Sequence, residues 1–277
     1  MPPAPKVLTD EQRQHWEEQG FLVVPGFFAP DEVAKLVAEV ERLWQERQAD
    51  DRGLVIDVFI DTPDERRIRL RDATDEVRAL PYKLNDLYLV SPLVRETILD
   101  AGLVDLIDDL LDGRPVVCNS LTFERGSQQR FHLDTFYMPP LVPNKMLASW
   151  IALEDADDRA GPLRYYPRSH LIPPFHFSHG GLNLREEELP DFDEYIDKRV
   201  ADRGLDWTTF PAKAGDVFIW HAQLYHGGAP IEDMSLTRKS LVTHYFRAGD
   251  MDPDWVEDIG GGRCYLRREH QSTDSPS

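Results

Sequence analysis

From Pro115 onward the sequence is interrupted every few residues by Gly or Pro, and the stretches between the breaks are short and strand-like: residues 116–123, 131–136, 147–153, 163–166, 216–220 and 240–246. Such runs cannot each bury a face alone, and the compact solution is a sheet folded back on itself, a barrel or jelly roll. The chain before Pro115 has a different texture. Thr9 or Asp10 reads as a helix N-cap with Gly20 as the stop, and Pro30-Asp31 opens a longer helix. That second helix places Val33, Leu36, Val37, Val40, Leu43 and Trp44 at helical spacing, as expected of a core-facing stripe. Residues 21–24 read as a strand, 54–60 and 67–71 as a hairpin about Thr62-Pro63-Asp64, and 92–99 and 104–111 as two amphipathic helices. The expected fold class is therefore α+β with a mainly β core: a jelly roll, or double-stranded β-helix of the cupin-like kind, over supporting N-terminal helices. One domain spans 1–277, with a helical part at about 8–112 and the jelly-roll core at about 115–247. A charged, irregular insertion at about 176–206, with a helix near 191–203, reads as a lid over one mouth of the barrel.

Composition narrows the partners. With 31 Lys and Arg against 50 Asp and Glu, the 277-residue chain carries a formal charge of −19. That charge argues against nucleic acid and anionic membrane, both of which select basic surfaces. There are two cysteines, Cys118 and Cys264, too few for a disulfide framework. No apolar run approaches the roughly 20 residues that span a bilayer, and Met1–Lys6 lacks the apolar stretch of a signal peptide. A cytoplasmic enzyme acting on a small molecule is the expectation. Oligomeric state is left open.

The sharpest local feature is Phe131-His132-Leu133-Asp134-Thr135. In a strand, residues two apart face the same way, so the His132 imidazole and the Asp134 carboxylate project together. With one distant histidine they make the two-His, one-carboxylate set of non-haem Fe(II) oxygenases, which leaves three coordination positions open. Two candidates for that histidine, His221 and His226, follow the strand-like run 216–220. Twelve residues beyond His226 comes Arg238, and Ser240 sits two further on, on the same face of a strand. A guanidinium offers a planar fork to a carboxylate and the hydroxyl adds a donor, which suits a dicarboxylate whose other end chelates a metal.

Taken in order, these segments resemble the phytanoyl-CoA dioxygenase family of Fe(II)- and 2-oxoglutarate-dependent oxygenases. The resemblance runs from about residue 8 to 246. It rests on Leu8-Thr9-Asp10-Glu11-Gln12, the run Gly20 to Phe27, His132-Leu133-Asp134, Ser149 to Glu154, Gly161-Pro162-Leu163 with Pro167-Arg168-Ser169-His170, Gly215-Asp216 to His226, and Arg238-Lys239-Ser240. It implies His132, Asp134 and His226 as the iron ligands, with His221 a lining or structural residue. It further implies 2-oxoglutarate and O2 as co-substrates, Arg238 and Ser240 on the far carboxylate, and Trp150, sixteen residues after Asp134, beside 2-oxoglutarate. The carboxylate at Asp134 points to hydroxylation or another oxidation rather than halogenation. Two departures stand out. Arg168 replaces a glycine of the family pattern and puts its tight turn in question, and Arg125 is only an approximate substitute for a co-substrate-binding lysine.

Other conspicuous residues read as structural. His176 and His179 belong to a solvated lid, His170 to a structural hydrogen bond, and His244 to the core or the margin of the site. Arg67, Arg69 and Arg71 form a solvated strand face rather than an anion clamp, and Glu186-Glu187-Glu188 and residues 155–158 are surface. Two rival functions remain: a cupin-type metal enzyme, such as a dioxygenase without 2-oxoglutarate or a zinc hydrolase, and a non-catalytic binding or sensor protein. Neither form of the cupin-type rival needs the dicarboxylate anchor at Arg238 and Ser240, and an intact ligand triad with an intact Arg238 argues against the sensor. The acidic surface favours a small neutral, zwitterionic or cationic substrate over a bulky polyanion such as a CoA ester.

Overall fold

The computed structural model describes residues 7–60 and 62–273. The signal-peptide question at residues 1–6, and most of the tail expected to fray at 271–277, lie outside them. Helix α1 (Asp10–Gln19) is capped by Thr9, whose hydroxyl accepts from the Gln12 amide while the Gln12 side chain returns to the Thr9 N–H. Gly20 closes it in the left-handed region, at φ +81°. Strand β1 (Phe21–Val24) follows, then α2 (Pro30–Gln45), whose N-cap is Ala29 with Pro30 in the first turn. The hairpin of β2 (Val55–Val58) and β3 (Arg66–Arg69), the single turn α3 (Asp75–Arg78), β4 (Tyr82–Asn85), α4 (Pro92–Ile98) and α5 (Ala101–Leu111) complete the N-terminal half. Beyond it run β5 (Pro115–Phe123), β6 (Met146–Ala152), β7 (Leu163–Tyr165), α6 (Leu189–Asp202), β8 (Thr208–Thr209), β9 (Val217–His221), β10 (His226–Gly228) and β11 (Ser240–Arg247). A closing hairpin, β12 (Val256–Gly260) and β13 (Arg263–Leu266), was not anticipated from sequence.

The large sheet has the order β1-β9-β6-β11-β5-β4-β2-β3, and the terminal hairpin joins it through β13 beside β5; a small sheet, β10-β7-β8, faces it. This is the expected jelly roll. The central strands read as continuous apolar runs because both of their faces are covered. On one face Leu22, Leu147, Ile151, Val217, Ile219, Leu241 and Tyr245 pack against Leu36, Leu43 and Trp44 of α2 and Leu103 and Ile107 of α5. The other face carries Phe123, Trp150, Phe218, Trp220 and Val242, which meet Leu163 and Tyr165 of the small sheet. That second face is the barrel interior. A third cluster joins α6 to the 3-10 turn at Asp134–Phe136, with Phe177, Phe192 and Ile196 against Leu133 and Phe136.

Register accounts for the polar lining. Across β5, β11, β6 and β9 the partners Leu121–Val242–Trp150–Phe218 and Asn119–His244–Ala148–Trp220 lie side by side and share the interior face. A β-bulge at Cys118 breaks the β5–β11 ladder between His244 and Tyr245. Beyond it Tyr245 pairs with Val117 and both turn to the helix-packed core. The interior face therefore ends at His244 and Asn119.

Candidate active site

His132 does not lie in a strand of its own. One bridge ties it to His226, with reciprocal backbone bonds of 2.8 and 3.1 Å, and the chain then enters a 3-10 turn at Asp134–Phe136. The strand expected over 131–136 is thus a single extended pair followed by a turn. Leu133 remains extended, so His132 and Asp134 still converge. The bridge sets the spacing of the two histidines through the main chain alone.

The Nδ1 atoms of both rings sit on carbonyl oxygens, His132 on Arg130 at 2.9 Å and His226 on Leu224 at 2.8 Å. A carbonyl only accepts, so each Nδ1 carries the proton and each Nε2 presents a lone pair. Those Nε2 atoms lie 3.9 and 3.6 Å from Asp134 Oδ1, and one ligand atom from each of the three residues falls within 4.8 Å of the others. Burial, with the neighbouring His226 ring, pulls the His132 imidazole down to about 3, which keeps it neutral. Two neutral imidazoles and one carboxylate, all buried, form a donor set suited to a divalent first-row metal. The other carboxylate oxygen, Oδ2, accepts from Trp220 Nε1 at 2.7 Å.

Along the same interior run Ser127, Gln129, Trp150, Val242, His244 and Arg238. Arg238 is 3% exposed, and its guanidinium carbon stands 5.5 Å from the centre of the Trp150 ring. Among the described residues its Nε has no partner, nor does the Oγ of fully buried Ser240, which alternation on β11 aligns with Val242 and His244. Burial lowers the guanidinium to about 10, opposed by the field of Glu154, so it stays charged at neutral pH. Unpaired buried donors cost free energy unless a ligand satisfies them. A cationic fork lining the pocket, with a buried hydroxyl two residues along the chain, fits the far carboxylate of a dicarboxylate.

The remaining candidates are placed elsewhere. His221 turns away: its Nδ1 accepts from the Gln223 amide at 3.0 Å, and its ring packs against Trp16 and His170. His170 meets the Glu17 carbonyl at 3.1 Å, the structural role expected of it. His176 and His179 lie on an exposed loop. Arg125 points outward to the Met234 carbonyl. Arg168 keeps the turn despite its side chain, at φ +69°. The solvated face expected of Arg67, Arg69 and Arg71 holds only for Arg71. Register brings Asp57 opposite Arg67, which it binds through both carboxylate oxygens at 2.6 and 3.0 Å, and Arg69 reaches the Gly53 carbonyl. Lys83 and Asn85 flank the same Asp57. Trp220, Gln129 and Asn119 were missed by sequence reasoning; Trp220 sits in a run that reads only as an apolar strand.

A jelly roll with two histidines and one carboxylate on its inner wall, and a buried arginine beyond them, defines a non-haem iron oxygenase of the 2-oxoglutarate-dependent class. Comparison with known proteins agrees. The family model of phytanoyl-CoA dioxygenase (PhyH) matches residues 16–235, and the chain belongs to that family. It is 25% identical to the peroxisomal phytanoyl-CoA dioxygenase of Mus musculus, over 95% of this chain and 75% of that one. It is 29% identical to the ectoine dioxygenase of Stutzerimonas stutzeri, over 79% and 71%. Among solved structures, the alpha-ketoglutarate-dependent carbocyclase SnoK from nogalamycin biosynthesis superposes with a TM-score of 0.65 at 19% identity, covering 90% of this chain and 87% of that one. EctD from S. alaskensis, solved with 2-oxoglutarate and 5-hydroxyectoine, gives 0.63 at 18%, covering 90% and 80%. The protein is accordingly a non-haem iron dioxygenase that uses 2-oxoglutarate and O2.

Proposed function

We infer that the enzyme hydroxylates a C–H bond of a small-molecule metabolite, converting substrate, 2-oxoglutarate and O2 into hydroxylated product, succinate and CO2. His132, Asp134 and His226 hold the iron. Arg238 and Ser240 take the far carboxylate of 2-oxoglutarate, with Trp150 against its flank. The observation that carries this reading is the pair of unpartnered buried donors, Arg238 Nε and Ser240 Oγ, on the same inner wall as the metal-ligand set.

When bound, iron with 2-oxoglutarate supplies the oxidant, at the cost of decarboxylating the keto acid. The protein's own contribution is geometric and electrostatic. The His132–His226 bridge fixes the two imidazoles, their Nδ1–H groups are spent on carbonyls, and Trp220 holds the free oxygen of Asp134. Phe123, Trp150, Leu163 and Val242 keep the interior apolar, which limits water at the reacting centre. Residues 176–206 serve as a cover: α6 packs through Phe192 and Ile196 onto Leu133 and Phe136, the neighbours of Asp134. The β2–β3 hairpin closes another side, with Ile60 inserted among Phe123, Trp150 and Phe210. Beside it the charges of Arg67 and Lys83 are offset by Asp57 and Glu65. This balance favours an uncharged or zwitterionic substrate over a polyanion. Among the described residues no helix is long and apolar enough to cross a membrane, and we place the enzyme in the cytoplasm.

The test is direct. Protein supplied with Fe(II), 2-oxoglutarate and ascorbate under air is assayed for succinate across a panel of amino acids, osmolytes and small natural products. Succinate above the metal-free control supports the reading. No succinate with any member, together with no 2-oxoglutarate-dependent spectral change on anaerobic Fe(II) loading, would overturn it.

A further inference from the structure

Just before His132 the chain slips out of step with β10. A regular ladder leading on from the His132–His226 pair would bring the Gly228 amide to the Arg130 carbonyl, but Gly228 N donates to the Gln129 carbonyl instead, at 2.9 Å. An extra residue in one strand re-aims the side chains beside it. The residues at this slip have different uses. The Arg130 carbonyl, displaced from the ladder, takes the His132 Nδ1–H, while the Arg130 guanidinium turns outward to Asp193 on α6. Gln128, in the left-handed region at φ +55°, also points outward, and its side-chain oxygen accepts the Ile231 N–H at 3.0 Å. Gln129 turns inward and lines the cavity with Ser127. The segment lies close on β10: a Cβ on Gly228 would stand 2.7 Å from Ser127 Oγ.

Neither inward residue is used by the assigned site. Ser127 Oγ accepts the Gln129 N–H at 3.3 Å, which leaves the hydroxyl proton to be donated, and no side chain among the described residues engages the Gln129 carboxamide. The one aspartate and the one arginine of the cavity wall, Asp134 and Arg238, are taken by the metal and the co-substrate; no lysine or glutamate lines it among the described residues. A charged substrate group brought to Gln129 would leave water without a counter-charge, which costs more than moving an uncharged polar group.

We propose that Gln129 and Ser127 are the specificity-determining residues for the substrate, and that they bind a carboxamide or lactam. Gln129 Oε1 accepts the amide N–H of the ligand, and Gln129 Nε2 and the Ser127 hydroxyl donate to its C=O. A few fixed polar groups in an otherwise apolar cavity orient a ligand. Gln129 and the metal ligand His132 leave the same short stretch of chain, so the carbons beside the amide are the ones brought to the metal. The inference rests on the oxygenase reading and names the substrate class for that same site.

The test reads binding rather than turnover. Full-length protein loaded with 2-oxoglutarate and Zn(II), which has no redox chemistry, is titrated with δ-valerolactam, valeramide, valerate and pentylamine, and affinities are read by ligand-observed NMR. The lactam and the amide are expected to bind about tenfold or more tightly than the acid or the amine. Gln129→Ala should weaken both amides about 5- to 100-fold, for two lost hydrogen bonds, and Ser127→Ala about 2- to 10-fold, for one. Gln129→Glu, which exchanges the donor for a carboxylate, should invert the ranking and favour pentylamine. Zn(II) and 2-oxoglutarate affinities stay at the wild-type level throughout. No preference for the amides in the wild type would overturn the proposal, as would an unchanged ranking in Gln129→Glu or a loss of Zn(II) affinity in step with the loss for the amides. Should Ser127→Ala fail to fold, the two Gln129 variants decide alone. The expected ranking without any succinate under Fe(II) and air counts against the oxygenase function and not against this recognition pair.

Discussion

Trp220 donates its single indole hydrogen bond to Asp134 Oδ2, 2.7 Å away and 86 residues apart in sequence. The bond joins β9 to the 3-10 turn after the His132–His226 bridge. It leaves Asp134 with one oxygen spent and one free to face the two histidines. Replacing Trp220 by Phe keeps an aromatic ring in the barrel and removes only the donor. Metal affinity should fall about tenfold, with the fold intact by circular dichroism; titration with Fe(II) or Co(II) checks it.

Arg238 should act on the co-substrate rather than on the metal. Loss of a charge-assisted bond costs about 1.5–3 kcal/mol, on the order of 10- to 100-fold. Arg238→Gln is therefore expected to raise the KM for 2-oxoglutarate by that factor while leaving Co(II) affinity near wild type. Equal losses in both would place the guanidinium's role elsewhere.

His221 and His132 predict acid sensitivity with a definite sign. Burial lowers both imidazoles to about 3, while unfolded histidine titrates near 6.5. Between those values the unfolded chain binds more protons, so apo stability should fall with each step from about pH 6.5 down toward 3. The slope is at most about 1.4 kcal/mol per pH unit for each histidine. His221→Gln should flatten that slope in urea-midpoint measurements and leave metal binding intact.

Asp57 and Arg67 are a hydrogen-bonded ion pair with side chains 3% and 8% exposed. Asp57→Ala would strand the guanidinium, at a cost of about 3–5 kcal/mol, large enough to appear as a clear drop in Tm. A cost under about 1 kcal/mol would mean that Arg67 escapes to water.

Two backbone positions give opposite forecasts. A Cβ on Gly215, at φ +88°, would stand 2.2 Å from the Phe28 carbonyl oxygen, so Gly215→Ala should sharply destabilise the protein. Arg168 already occupies the left-handed region at φ +69°. There Arg168→Gly trades relief of about 1–2 kcal/mol of strain against greater unfolded-state freedom and should shift Tm little. Thermal scans of the two variants side by side settle both.

What sequence could reveal follows from the range of the interactions. Alternation along β11 is local, so the residue pattern alone aligns Arg238, Ser240, Val242 and His244. His132 and Asp134 are also neighbours, and their convergence was legible although the strand assumed for it is a bridge and a turn. Arg67 was misjudged because its partner is set by hairpin register, which places Asp57 opposite it. The terminal hairpin escaped notice because its strands are mostly half-buried or exposed and flank the run Gly260-Gly261-Gly262. The ion pair just after it, Arg268 with Asp86, is a contact that no local pattern encodes.

The bridge between His132 and His226 joins two points that most of the small sheet, the cover helix and β9 lie between. An ion held by those side chains is a detachable staple: it closes the same long loop that the main chain has already brought together. Unlike a disulfide, such a staple takes its strength from the free metal concentration, rising with the logarithm of supply. If His132, Asp134 and His226 hold the ion as proposed, the resistance of this protein to unfolding should track how much metal surrounds it, rather than being a fixed property of the chain.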